Sequence, residues 1–243
     1  MKLQFKKQQY QTDAVESTVD IFNGQPNQGL LDYKMDQGKV YVIDNGRHIE
    51  QTDFVVNEND TGYKNGEIVL SEDELLKNIH QIQTQNNIHL SSEVIKRLGS
   101  CQLDIEMETG TGKTYVYIKT MFELNKRYGW TKFIVVVPSI AIREGVKKSF
   151  DITQDHFMEL YGKKARYFIY NSDNLNQIDT YSQSADISVM IINTQAFNTS
   201  MKEGAKNKYA RIIYDKRDEF GSRRPIDVIA ANRPIIILDE PQK

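Results

Sequence analysis

The chain has 243 residues, 39% apolar and 26% charged, with a formal net charge of -2 at pH 7. That length holds one large domain or a domain with an appendage, and the near-neutral balance argues against a surface coated with nucleic acid. A single cysteine, Cys101, excludes an internal disulfide, and four scattered histidines give no zinc pattern.

No apolar run approaches the ~20 residues that span a bilayer. The amino terminus, MKLQFKKQQYQTDAV, has lysines with no apolar stretch behind them. The expectation is a cytoplasmic protein with no signal peptide and no membrane partner. In chain order, FKKQQYQTDAVESTVDIF (5–22) sets Tyr10, Ala14, Val15, Thr18 and Ile21 near helical spacing, with Thr12 or Asp13 as the cap. NGQPNQG then breaks the pattern. Between about 30 and 70, KVYVID, DFVVNE and EIVLS read as short strands of a small hairpin insertion. SEDELLKNIHQIQTQNNI reads as a helix whose Ser71 and Glu74 form a capping box.

From 101 the texture changes. CQLDIEM, FIVVVP, ISVMIIN and PIIILDE are four strand candidates, three nearly continuous in apolar residues, as in a parallel sheet covered on both faces. After Thr114, Tyr117, Met121, Leu124 and Tyr128 recur at offsets of four, seven and eleven, which gives one buried helical stripe. Strands alternating with helices predict a doubly wound α/β layer. Charge shifts along the chain as well. Residues 1–100 carry 10 basic and 15 acidic side chains, whereas 101–243 carry 21 and 18. Within the latter, 202–224 hold 8 basic against 4 acidic residues, which fits either a face toward a polyanion or a solvated loop of mixed charge.

Two motifs carry chemistry. METGTGKT (107–114) follows a strand candidate and precedes a helix, the setting of a phosphate-binding loop. Gly110 and Gly112 free the backbone so that the amides from Thr109 through Thr111 to Thr114 can converge on phosphate oxygens. Lys113 is expected to reach the β- and γ-phosphates of ATP, and the Thr114 hydroxyl to take Mg²⁺. The usual pattern begins with glycine where this chain has Met107. The second motif is IIILDEPQ. Asp239, ending an apolar strand, is suited to hold Mg²⁺, and Glu240 to orient and polarise the attacking water. In an open parallel sheet both motifs belong at the carboxyl ends of strands, where ligands bind.

The loop, VVVPSIAIREGV (135–146), IINTQAFN (191–198) and LDEPQ stand in the order of helicase motifs I, Ia, Ib and II. Their wording, DEPQ above all, resembles the restriction (Res) subunit of type III restriction–modification enzymes, within helicase superfamily two. The likeness runs through most of 95–243 and the first ~20 residues, and is weak between 25 and 70. It implies a RecA-like P-loop ATPase fold with helices on both faces of a parallel sheet, and a small α+β region ahead of it. On this division 1–95 is the N-terminal region and 96–243 the first RecA-like domain, incomplete after motif II. The resemblance also implies that Gln11, with Tyr10 beside it, reads the adenine edge, for which an amide both donates and accepts. Ser139, Arg143, Thr194 and Gln195 would lie along the DNA track.

For an intact protein of this kind the resemblance implies an ATP-dependent enzyme that cleaves double-stranded DNA with a methyltransferase (Mod) partner. A second RecA-like domain with arginines for the transferring phosphoryl group, and a metal-dependent PD-(D/E)xK nuclease, would follow. Neither is found before Lys243, so the expectation is an amino-terminal piece that binds Mg·ATP weakly and scarcely hydrolyses it. Two other readings share Lys113, Asp239 and Glu240: another superfamily-two motor, expected to read Asp-Glu-x-His or Asp-Glu-x-Asp, and an ATP-binding module without turnover. A decayed gene product is a third.

Overall fold

The apolar runs FIVVV and ISVMIIN form the two central strands of a parallel sheet. In this computed structural model, which describes residues 5–38, 41–44, 47–50, 61–97, 99–197 and 212–240, the chain divides into two units. The first comprises Met1–Gly29, Gly66–Trp130 and Ser149–Lys164, and the second Leu30–Asn65, Thr131–Lys148 and Ala165–Lys243.

The first unit is helical. Helix α1 (Gln9–Asp20) lies along α3 (Lys113–Tyr128), with α2 (Glu72–Gln85) against α1. Val15, Thr18, Ile21 and Phe22 are buried as expected, Thr12 and Val19 widen the stripe, and Tyr10 departs from it, half-exposed. The N-cap of α1 is Gln8, not Thr12 or Asp13. Instead the Thr12 hydroxyl turns back to the carbonyl of Gln8. α3 buries Met121, Leu124 and Tyr128 as expected, with Val116, Ile118 and Phe122 widening the stripe. The Tyr128 hydroxyl donates to the carbonyl of Val19 at 3.0 Å, and the rings of Phe22, Tyr128 and Trp130 pack edge to face and tilted. α2 has the predicted capping box: Ser71 Oγ accepts from the Glu74 amide, and the Glu74 carboxylate accepts from that of Ser71.

The second unit holds the sheet. Its strands are β5 (Lys132–Val137), β6 (Ala165–Ile169), β7 (Ile187–Asn193) and β8 (Ile235–Leu238), in the spatial order β6-β7-β5-β8, all parallel. Phe133, Val135, Val137, Val189 and Ile191 on one face are fully buried. On the other, Ile134, Val136, Met190 and Ile192 join a core with Ile178 and Tyr181 of α5 (Asn176–Gln183) and with Phe220 and Val228. Burial on both faces explains why β5 and β7 read as unbroken apolar runs. β8 departs from that expectation: Ile236 and Leu238 are 53% and 43% exposed, and β5 is its one strand partner among the described residues.

CQLDIEM forms no strand. Asp104, Ile105 and Glu106 are all exposed, and among the described residues no strand pairs with this stretch. The fourth strand is β6, whose Arg166 faces solvent and pairs with Asp186. The insertion also pairs differently. β1 (Leu31–Lys34) is antiparallel to β4 (Thr61–Lys64), and β2 (Tyr41–Asp44), within KVYVID, to β3 (Arg47–Glu50). DFVVNE lies outside the described residues. EIVLS is not a strand, because the Gln25 side chain takes its backbone instead, donating to the Glu67 carbonyl at 2.8 Å and accepting from the Val69 amide at 2.9 Å.

Two buried amides tie the insertion to the amino edge of the sheet. Asn65 accepts from the amides of Thr131 and Lys132 and donates to the Lys132 carbonyl. Asn232, fully buried, donates to the Tyr33 hydroxyl and the Tyr63 carbonyl, and accepts from Ser182. Every polar atom of these side chains is thus used, which makes their burial affordable.

Candidate functional site

The loop at 107–112 reverses twice through glycine. Gly110 and Gly112 have φ of +83° and +87°, a region closed to most side chains, and no heavy atom stands within 4 Å of where a Cβ on Gly110 would be. At Gly112 a Cβ would sit 2.6 Å from Gln11 Nε2. That amide donates to the Thr111 carbonyl at 2.9 Å, so α1 and the loop meet at Gln11, across 100 residues of sequence. The Thr111 hydroxyl donates to the Glu108 carbonyl at 2.6 Å and shapes the turn; Thr109 is exposed and Thr114 half-buried.

Helix α3 leaves this loop with Gly112 as N-cap, no side-chain cap and no acidic residue in its first turn. α2 is the internal contrast, with Glu72, Asp73 and Glu74 answering its own amides. The first amides of α3 and its partial positive charge therefore face outward unneutralised, which is what an anion requires. The Lys113 ammonium donates to the Met107 carbonyl at 3.2 Å, spanning the loop from entry to exit. Position 107 contributes a backbone carbonyl, which methionine supplies as well as glycine. A triphosphate fits this loop: Gly110 leaves room, and Lys113 can exchange a carbonyl for an oxyanion.

The carboxylate half lies in the second unit. The Asp239 amide donates to the Val136 carbonyl at 2.9 Å, extending the β8 pairing by one residue and holding Asp239 at the carboxyl end of the sheet. Glu240 follows with φ of +54°, a left-handed conformation that costs a non-glycine residue on the order of 1–3 kcal/mol. Strain of this kind is what a functional turn tolerates. Asp239 offers a carboxylate at the strand end, and Mg²⁺ is an ion that keeps its waters and takes one or two carboxylates with phosphate oxygens.

The sheet also orders the remaining site residues. β7 and β5 are neighbours in register, with Asn193 opposite Val137, so Thr194 and Gln195 leave beside Ser139, and Asp239 leaves on the far side of β5. Ser139 is committed to capping α4 (Ile140–Tyr161): its Oγ accepts from the Ile142 amide at 3.3 Å. Arg143 is paired with Glu144 at 3.1 Å. Thr194 opens the short α6 (Thr194–Phe197), where Gln195 is exposed. Within 202–224, residues 202–211 lie outside the described residues. The arginines beyond them are paired: Arg217 with Glu219, Arg224 with Asp227, and buried Arg223 bidentately with Asp179 at 2.7 and 2.9 Å. Arg223 is thus part of a buried network, while Arg217 and Arg224 are paired nearer the surface.

Sequence reasoning missed two features. A ring cluster of Phe5, Tyr115 and His156 stands behind the loop. Lys132 is wholly buried at the start of β5. The long separations in the first left no periodic signal, and Lys132 reads as the polar border of an apolar run.

No described helix is long and apolar enough to cross a membrane. The family model described as "Type III restriction enzyme, res subunit" matches residues 4–241. The chain is 32% identical over 196 residues to the type III restriction–modification enzyme EcoP15I Res subunit of Escherichia coli, covering 74% of this chain and 19% of that one. It is 31% identical over 194 residues to the EcoPI Res subunit of Escherichia phage P1, with the same shares. With the StyLTI Res subunit of Salmonella typhimurium it shares 32% over 185 residues, 68% and 18% of the two chains. The chain thus spans about a fifth of the length of these relatives.

Proposed function

The chain belongs to the type III restriction enzyme Res-subunit family, and from that premise we propose that it is the ATP-binding part of a DNA-dependent motor. The observation that carries the reading is the uncapped α3 amino terminus behind Gly110 and Gly112, with Lys113 at the loop. The amides and Lys113 would bind the phosphates; Thr114 in the first unit and Asp239 in the second are each proposed as a Mg²⁺ ligand. The metal, when bound, neutralises charge on the β- and γ-phosphates. Glu240 accepts a proton from the attacking water and orients it, and Gln11 reads the adenine edge. ATP hydrolysis would drive opening and closing of a motor domain along double-stranded DNA.

For a whole protein of this family the proposal extends to cleavage of double-stranded DNA together with a methyltransferase (Mod) subunit, in the cytoplasm. Because the chain spans only a fifth of its relatives, the 243 residues are proposed to bind nucleotide with little turnover. Calorimetric titration tests this. Mg·ATP is expected to bind in the micromolar-to-millimolar range, more weakly when EDTA removes the metal, with negligible phosphate release. No heat and no protection at any concentration would sink the nucleotide-binding reading.

Ser139, Arg143, Thr194 and Gln195 are proposed as the DNA track, since they leave adjacent strand ends on one edge of the sheet. If Arg143 exchanges Glu144 for a phosphate, Arg143→Ala should lower the slope of log K against log salt by about 0.9. An unchanged slope leaves Arg143 as the partner of Glu144 alone.

A further inference from the structure

The turn that carries Gln11 starts without a side-chain cap, although Gln9 Nε2 donates to Asp13 Oδ1 at 2.7 Å and Thr12 bonds back to the Gln8 carbonyl. Gln8, the N-cap of α1, makes no side-chain cap, and the first turn has no acidic residue to meet the free amides. A helix start of this kind frays unless something outside it fixes the chain. Gln11 is the third residue of that turn, and its amide donates to the loop carbonyl of Thr111 at 2.9 Å.

What fixes the chain lies three residues ahead of the cap. The ring of Phe5 stacks on Tyr115 at 5.9 Å and 19°, and packs on the His156 imidazole at 4.8 Å. The Tyr115 hydroxyl and His156 Nε2 are 2.9 Å apart. Behind them Phe157 stacks on both Tyr115 and Phe122, so the platform is continuous with the core of the first unit. Tyr115 is two residues past Lys113 in the same helix. The arm before α1 is therefore referenced to the helix that presents the phosphate-binding amides. Burial lowers the His156 pKa, with Glu159 opposing and Lys119 adding to the shift. Lys119 also reaches Thr12 Oγ1 at 3.4 Å, a further side-chain tie from α3 to this turn.

We propose that Phe5, Tyr115 and His156 form a positioning clamp that holds the first turn of α1, and thereby sets the preference of the site for adenine over other bases. The proposal rests on Gln11 reading the base. Phosphate binding through Gly110, Gly112 and Lys113 is independent of the clamp. Loosening it therefore weakens the adenine nucleotide and leaves a nucleotide that Gln11 does not read unaffected. If the turn is formed a tenth of the time without the clamp, the apparent affinity for ATP falls about tenfold, since only the competent fraction binds.

The test compares Mg·ATP with Mg·GTP by calorimetry in the wild-type chain and in Gln11→Ala, Phe5→Ala, Phe5→Tyr and His156→Ala. Amide hydrogen exchange of Thr12–Val15 and the thermal midpoint are followed in parallel. Phe5→Ala and His156→Ala should lower the ATP/GTP affinity ratio about five- to tenfold through ATP alone, and speed exchange at Thr12, whose amide donates to Gln8 at 3.2 Å. Phe5→Tyr, which keeps a ring in the stack, should keep the wild-type ratio. Equal weakening of both nucleotides, or unchanged ratio and exchange, overturns the clamp. A preference that Gln11→Ala removes and Phe5→Ala spares overturns the clamp alone. A wild-type chain without preference, or a Gln11→Ala variant that retains it, overturns the adenine reading and the clamp with it.

Discussion

Lys113→Ala is expected to lower the affinity for Mg·ATP about 100- to 1,000-fold while leaving the thermal midpoint within a degree or two of the wild type. The size follows from what the ammonium does in each state. Without nucleotide its recorded bond is one 3.2 Å donation to the Met107 carbonyl, an ordinary loop contact whose loss costs the fold little. With a triphosphate it faces two oxyanions, and charge-assisted hydrogen bonds contribute about 1.5–3 kcal/mol each. Two of them at the lower half of that range amount to roughly 3–4 kcal/mol, or two to three decades in dissociation constant. Lys113→Arg should recover only part, because a planar fork does not reproduce a point charge that the loop wraps. Calorimetry with Mg·ATP, backed by a melting curve, reads both effects. An affinity within threefold of wild type in a folded variant would remove Lys113 from the site, and with it the main support for the loop as a nucleotide cradle.

The loop was legible because all its parts lie within eight consecutive residues: two glycines, a lysine and a hydroxyl ahead of a helical stripe. β5 and β7 were legible for a related reason, since burial on both faces leaves no polar residue in the middle of either run. CQLDIEM and ARYFI show where such reading stops. Both mix charge with apolar residues, and a strand's existence there depends on whether a neighbour offers its hydrogen bonds. β7 does so for Ala165–Ile169, whereas among the described residues no strand pairs with 101–107. The same holds for EIVLS, whose backbone was claimed by Gln25 from 42 residues away. In the site, the meeting of Gln11 with Thr111 left no trace in the sequence, because no local pattern links positions 100 residues apart; the resemblance implied only an adenine contact for Gln11. The order of Thr194, Ser139 and Asp239 along one edge needed the strand order, which apolar runs do not state.

Lys132 supplies the second large effect, on stability. It opens β5 with no exposed surface, and its ammonium donates to the carbonyls of Tyr181, Ser184 at 2.6 Å and Ser182 at 3.4 Å. These belong to the last turn of α5 and its cap, the negative end of that helix, and the Tyr181 ring lies 5.0 Å beneath. Lys132→Met should cost about 2–4 kcal/mol at pH 7, since three buried carbonyls lose their donor. Burial lowers the amine from 10.5 to about 7, with the charge of Asp186 pulling it back. Between those values the unfolded chain holds a proton that the folded chain does not, so stability rises with pH through the window and is lost as pH falls toward 7. The rise available is on the order of 2–4 kcal/mol, and methionine, which does not titrate, lacks it. Urea midpoints at pH 7 and 9.5 should therefore diverge, the wild type gaining on the variant as pH increases. Parallel shifts in the two proteins would mean that Lys132 keeps its ordinary pKa, its charge fully compensated by the three carbonyls at the end of α5.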